Sequence, residues 1–438
     1  MANAPDRSAS KGTLILDSSL SAEPAPDAER LPQVAPPEPA LTPAEMIGRA
    51  AALRPLLRDE DAETDARGCY SEEIHQAFLR AGLYRVVQPR RFGGYGFDYV
   101  TFVRVIQELA RAHPATAWCY TLAASHAFLV ASHWPAQAQA EAFGPDGDFR
   151  CCQRATPAGT IKRVEGGYEV SGRFGFCSGA PVSTHFIGSA MLDEGEGPPR
   201  QLTFLVPRAA FRILPDWGGE TSLGMQGSGS NSIALDQVFV PERFVVSGDL
   251  ILTSNGFNDG TPGTRLHGDP MYLGVAGGAY LTEFGAITTG AARAAVEAYE
   301  TLIRATPMAG GQTRLHDPEA HRALGKALNL ADAAEAITVA AAQAYMDQCA
   351  RWAADRTPIT MADTLRVWGM SQEACQLACR AVDLLFETAG ARVALSGNRL
   401  QRYFRDVQMY RVHITAQPQW ASWRAQAHLG LAAERPGR

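Results

Sequence analysis

From Thr42 the apolar residues recur at three- and four-residue spacing, the signature of helices that bury one face. Thr42-Pro-Ala-Glu reads as a helix start, with a hydroxyl cap, Pro at the first helical position and Glu at the third. Helical stretches are predicted over residues 72–81 and 102–111. A continuous apolar run follows over 115–132, after the turn-rich Arg90-Arg-Phe-Gly-Gly-Tyr-Gly. At Phe149 the pattern changes. Short alternating or β-branched runs over 160–164, 168–171, 185–191, 202–206 and 232–240 are separated by Gly and Pro, as strands joined by turns would be. After a loop rich in Gly, Asn and Asp (255–269), Ala-rich helical periodicity resumes over 277–306, 316–352 and 360–389. The order is helical, then β, then helical. Predicted boundaries are a tail over 1–40, a helical domain over 41–148, a β domain over 149–250 and a helical bundle over 265–438.

Composition refines this division. Eight of the 27 prolines fall before residue 44, among Ala, Ser and Glu, too little apolar surface for a core, which is why 1–40 reads as a disordered tail. The rest, at 46% hydrophobic and 20% charged, is globular. Lys plus Arg number 40 against 46 Asp plus Glu, a net charge of −6, so no basic field draws the chain to nucleic acid or anionic lipid. The eight cysteines lie mostly in apolar stretches with no Cys-x-x-Cys pair, which argues for reduced thiols and against a metal site. No uncharged apolar run reaches the roughly 20 residues of a membrane span, and the first ten residues lack a signal-peptide core. A cytoplasmic protein is expected.

The domain order and five segments carry a resemblance. The segments are Arg91-Phe-Gly-Gly-Tyr-Gly, the stretch from Gly166 to Gly179 containing Phe176-Cys-Ser-Gly, Gly224-Met-Gln-Gly-Ser-Gly-Ser, Val238-Phe-Val-Pro-Glu and Leu400-Gln-Arg-Tyr-Phe-Arg-Asp. Together they resemble the acyl-CoA dehydrogenase fold: an N-terminal all-α domain, a middle β-barrel-like domain and a C-terminal four-helix bundle. Near the C-terminus, Arg405-Asp is followed by His413-Ile414 where many dehydrogenases carry a Tyr-Glu whose carboxylate abstracts the substrate's α-proton. Losing that base makes the chain more similar to the flavin-dependent monooxygenases of this fold, such as the oxygenase component of p-hydroxyphenylacetate hydroxylase and dibenzothiophene monooxygenase.

That resemblance implies the oxygenase component of a two-component system. Reduced FMN or FAD would diffuse in from a separate flavin reductase, react with O2 to a C4a-hydroperoxide, and hydroxylate an aromatic or related electron-rich substrate. Ser178 is implied beside the flavin with Phe176 against its ring, Trp217 and the Gly224–Ser230 segment along its edge, and Arg405 and Asp406 framing it. His126 is implied as the group that draws the substrate's proton, with His133, two helical turns on, as the other candidate. His413 is implied to stabilise the flavin adduct, and Cys152, after Cys151, stands where a Ser would contact the substrate. Each has an ordinary alternative: Ser178 as a strand-end cap, Phe176 as an inward aromatic, His126 as a satisfied core histidine, Cys151 and Cys152 as small strand residues, Arg405 and Asp406 as a structural ion pair. Alternative functions are an N-oxygenase acting on an amine, an acyl-CoA dehydrogenase with its base elsewhere, and a flavin-free scaffold. A homo-oligomer, most simply a tetramer, is expected from Ala-rich faces too numerous for one bundle to bury.

Overall fold

The computed structural model describes residues 31, 33–195, 197–250, 259–308 and 310–431. The N-terminal helices are α1 (Pro43–Ala52), α2 (Arg54–Asp59), α3 (Asp61–Arg67), α4 (Glu72–Arg80), α5 (Tyr99–Ala110), α6 (Pro114–His133) and α7 (Ala136–Phe143). Thr42 and Glu45 cap α1 reciprocally, as the sequence predicts. The described part of the Pro-rich segment is held down: the Val34 amide donates to the Arg91 carbonyl at 2.8 Å, and Glu38 pairs with Arg49 at 2.6 Å. The expected tail therefore stops short of Val34, and the remainder of that expectation lies outside the described residues.

Helix α6 sits at the centre of the molecule. Of its 20 residues only Leu122 is not buried, which accounts for an apolar run with no polar face: neighbours cover it on every side. The β domain follows as two four-stranded sheets. One has the order β1 (Cys151–Arg154), β4 (His185–Leu192), β5 (Arg200–Pro207), β8 (Val245–Ser247). The other runs β2 (Thr160–Val164), β3 (Gly167–Phe174), β7 (Ile233–Pro241), β6 (Arg212–Ile213). The β1–β4 pair is parallel and the remaining pairs antiparallel. Phe174, Phe186, Phe204 and Ile233 meet between the sheets in a core of their own.

The C-terminal part holds α8 (Pro262–His267), α9 (Ala276–Ala305), α10 (Pro318–Asp355), α11 (Met361–Thr388), α12 (Arg399–Arg411) and α13 (Gln419–His428). Helix α8, capped by Thr261, interrupts what the sequence suggested was a loop over 255–269. Helices α9, α10 and α11 pack along their lengths, with α12 against α9 and α11. One continuous core joins this bundle to α5 and α6, so the N-terminal helices and the bundle share a single interior while the sheets have another.

Candidate active site

The site is built where α6, α9, the end of α12 and the loops after β3 and before β7 meet. Trp118, Leu122 and His126 follow one another at i, i+4 and i+8 along α6, with Leu122 as the gap in the helix's burial. From α9, Phe284 packs on Trp118 with ring centroids 4.9 Å apart, and Tyr280 stands perpendicular to His126 at 5.6 Å. His413, just past α12, meets the edge of Trp118 at 5.5 Å and Phe284 at 5.1 Å. Since α6 rises about 1.5 Å per residue, His126 lies roughly 12 Å along the helix from Trp118, against which His413 packs.

Ser178 ends a chain of hydroxyls. Its Oγ accepts the Trp118 indole N–H at 3.0 Å and lies 2.7 Å from Ser230 Oγ, itself 2.7 Å from Ser228 Oγ. Indole only donates, so one Ser178 lone pair is committed. When the chain runs from Ser228 through Ser230 to Ser178, the second lone pair is filled too, and the Ser178 proton is left to point out of the chain. The strand-cap alternative does not describe this arrangement.

The two histidines are held in opposite tautomers. His126 Nδ1 lies 2.6 Å from the Cys151 carbonyl oxygen, so it carries the proton and Nε2 keeps a lone pair with no hydrogen-bond partner among the described residues, while the Gln153 side chain lies beside the ring. His413 Nδ1 accepts the Thr415 amide N–H at 3.4 Å and lies 2.8 Å from Thr415 Oγ, which leaves the proton on Nε2. His126 therefore offers an acceptor and His413 a donor. Burial lowers both pKa values to about 4, keeping both rings neutral near pH 7.

Phe176 is 66% exposed at φ 58°, and Trp217 meets it edge-on at 6.0 Å. A left-handed backbone at a non-glycine residue turns this ring outward just past β3, so the inward-aromatic alternative fails. Arg405 and Asp406 do not pair with each other. Arg405 donates to the Leu223 carbonyl at 2.9 Å, while the Asp406 carboxylate accepts the Met225 amide N–H at 2.6 Å. Together they fasten α12 to the Gly-rich loop. Burial first, then the nearby Asp65 charge, raises Asp406 to about 6. An exposed aromatic wall, a hydroxyl at the end of a chain of hydroxyls, and N–H groups on Trp217 and Arg405 with no partner among the described residues fit an isoalloxazine ring with polar edges.

Two expectations need correction. Cys152 does not reach this space: successive strand residues face opposite ways, and its thiol is wholly buried in the inter-sheet core, 3.7 Å from the His185 carbonyl oxygen. Cys151 faces the helices instead and contributes the carbonyl that orients His126. His133 shares a helix face with His126 but lies about 10 Å further along α6. There its Nε2 donates to the Gly274 carbonyl at 2.8 Å, and it serves the segment entering α9. Sequence reasoning missed Trp118, Tyr280, Phe284 and Ser230. Ser230 sat in a quoted motif, whereas the helical residues lie in stretches apolar all round, where no face stands out. The carboxylate nearest this part of α9, Glu283, accepts from Tyr99 on α5 at 2.6 Å, and burial holds its pKa well above the usual range. It therefore does not replace the base missing at Ile414.

These features define a flavin-dependent enzyme of the acyl-CoA dehydrogenase type, and the comparisons agree. The profile of the acyl-CoA dehydrogenase N-terminal domain matches residues 50–146 and that of its C-terminal domain residues 282–418. The chain is 29% identical over 377 residues to the flavin-dependent monooxygenase oxygenase subunit HsaA of Rhodococcus jostii (strain RHA1), covering 85% of this chain and 95% of that one. It is 28% identical over 394 residues to the oxygenase component of the FADH(2)-dependent resorcinol hydroxylase of Rhizobium sp. (strain MTP-10005), covering 86% and 93%. The crystal structure of the 3-HSA hydroxylase from Rhodococcus sp. RHA1 superposes with a TM-score of 0.80 at 28% identity, over 89% and 97% of the two chains. The chain belongs to the acyl-CoA dehydrogenase superfamily, within its group of flavin-dependent monooxygenases that act as oxygenase components.

Proposed function

We propose that this chain hydroxylates an aromatic substrate bound between His126 and the flavin face at Ser178, using reduced FMN or FAD supplied by a separate reductase. Bound reduced flavin supplies activation of O2; the protein's part is to position, keep dry and move protons. His126 Nε2, whose lone pair has no hydrogen-bond partner among the described residues, accepts a proton from the substrate's hydroxyl. The Cys151 carbonyl fixes the ring through that transfer and stabilises the imidazolium. A phenol that loses its proton becomes richer in electrons at the ring carbons. At the other end His413 Nε2–H and the Ser178 hydroxyl would present donors toward a bound flavin, with Trp118 holding Ser178 in place. Trp118, Leu122 and Phe284 exclude water between them.

The opposed tautomers of His126 and His413 carry this reading. A dehydrogenase needs a carboxylate base, and the position where one is expected is Ile414, 59% exposed. The test is to mix the protein with reduced flavin, 18O2 and a phenol, and look for one 18O atom in the product. Flavin reduction by an acyl-CoA, with no labelled product, would reverse the assignment in favour of the dehydrogenase. We further infer a homo-oligomer in the cytoplasm, a tetramer as the simplest form. The exposed Ala340 on α10 and the exposed Val412 and Ile414 beside His413 support it. Light scattering that gives the monomer mass would reject it. No described helix is long and apolar enough to cross a membrane.

A further inference from the structure

Tyr280 carries a group that the packing does not explain. Its ring is buried against His126 and Phe128, and its hydroxyl oxygen has no partner among the described residues. A buried hydroxyl left unpaired is unfavourable, and phenylalanine would fill the same volume without that cost. The hydroxyl lies within electrostatic reach of Cys151, whose carbonyl anchors His126, and of Glu283 one turn along α9. It therefore sits at the His126 end of the site. His126 Nε2 also lacks a hydrogen-bond partner among the described residues, with the Gln153 side chain beside the ring; it is an acceptor only, whereas the tyrosine hydroxyl can donate.

We propose that Tyr280 is the second half of a clamp on the substrate's hydroxyl, which donates its proton to His126 Nε2 while its oxygen accepts the Tyr280 O–H. The proposal rests on the function read above and adds a specificity-determining contact to it. On proton transfer the substrate O–H bond breaks and an Nε2–H bond forms, and no electrons leave the pair of molecules. The oxygen then carries negative charge between two donors, imidazolium and Tyr280. A hydroxyl satisfies both protein atoms at once. A carbonyl or an aryl ether accepts from Tyr280 but leaves Nε2 unpaired, and an aromatic amine accepts poorly because its lone pair is delocalised. The clamp thus selects free phenols over ketones, thioesters and methyl ethers, since a site built to bond a hydroxyl is left with unpaired buried groups by an analogue lacking one.

Tyr280→Phe keeps the ring and its contact with His126, so the variant tests the hydroxyl alone, and an unchanged melting curve serves as the folding control. Binding of phenol, resorcinol and 2-naphthol, each against its methyl ether, is measured by calorimetry on protein without flavin. The pKa of the bound phenol is read from its phenolate absorbance. Wild type should bind at least one free phenol about tenfold or more tighter than its ether. Tyr280→Phe should lose about tenfold in phenol affinity, should weaken the ether as well because the ether accepts the same O–H, and should raise the bound phenol's pKa by about one unit. Equal phenol affinity and equal bound pKa in wild type and Tyr280→Phe would overturn the role of Tyr280 while leaving that of His126 intact. If wild type itself fails to separate any phenol from its ether, both the clamp and the assignment of His126 fall.

Discussion

The Trp118–Ser178 bond makes a quantitative claim about how the site is held. Ser178→Ala removes the acceptor of the Trp118 N–H, 3.0 Å away, from an indole only 8% exposed, and removes one end of the Ser228–Ser230–Ser178 chain. Stranding one buried donor costs about 1–3 kcal/mol, and the half-buried setting of Ser178 places the loss toward about 1–2 kcal/mol. Trp118→Phe removes the donor instead and loses packing against Phe284 and His413 besides, so it should cost about 2–4 kcal/mol. Because both variants break the same bond, the double variant should be less destabilised than the sum, by a coupling energy of about 1 kcal/mol. Urea unfolding of the four proteins measures this. The same series, assayed with reduced flavin, O2 and substrate, should divert oxygen from product to free hydrogen peroxide in both single variants. An additive cycle within about 0.3 kcal/mol, together with an unchanged ratio of product to peroxide, would refute the claim that Trp118 positions Ser178 for the chemistry.

Cys152→Ser should lower stability by about 1–3 kcal/mol by placing a hydroxyl in the inter-sheet core, yet leave KM unchanged; a raised KM would return Cys152 to the site. Asp406→Ala strands the buried Met225 amide that its carboxylate accepts at 2.6 Å and should weaken flavin binding severalfold in a fluorescence titration while kcat at saturating flavin holds. Five histidines (126, 133, 185, 267 and 413) have pKa values lowered to about 4, in each case first by burial. Below their ordinary value near 6.5 the unfolded chain binds more protons than the folded one, so their contribution is present above about pH 6.5 and is lost as pH falls toward 4. Asp406, raised to about 6, acts with the opposite sign, its contribution being lost as pH rises from about 4 to 6. Glu283 and Asp269, also raised by burial, act in the same sense as Asp406, but five histidines outweigh three carboxylates, so the melting temperature should fall between pH 7 and 5, and a rise across that window would contradict the buried neutral rings.

Periodicity alone separated the helical and β segments of this chain, because a helix and a strand bury one face with different repeats and that repeat is written in the order of residues. The five motifs then marked the loop residues of the site. Phe176 and Ser178 lie on the turn past β3, whose backbone demands are local, and a local demand leaves a local signature; Arg405 lies in the middle of α12. What the sequence left undecided is of another kind. Cys151 and Cys152 are chemically identical neighbours, and only the docking of β1 between α6 and β4 sends one toward the helices and the other into the sheets. His126 and His133 share a helix face, and what separates them is which segment crosses that face at each height: the Cys151 carbonyl at one, the Gly274 carbonyl at the other. Trp118 and Tyr280 stood hidden in runs that are apolar all round because both helices are surrounded, so no missing face betrayed the space between them. Side-chain identity fixed which chemistry was available. The Cys151 carbonyl, 25 residues away, decided which nitrogen of His126 carries the proton, Thr415, two residues on, decided it for His413, and contacts more than 50 residues apart bound Ser178 to Trp118 and Ser230.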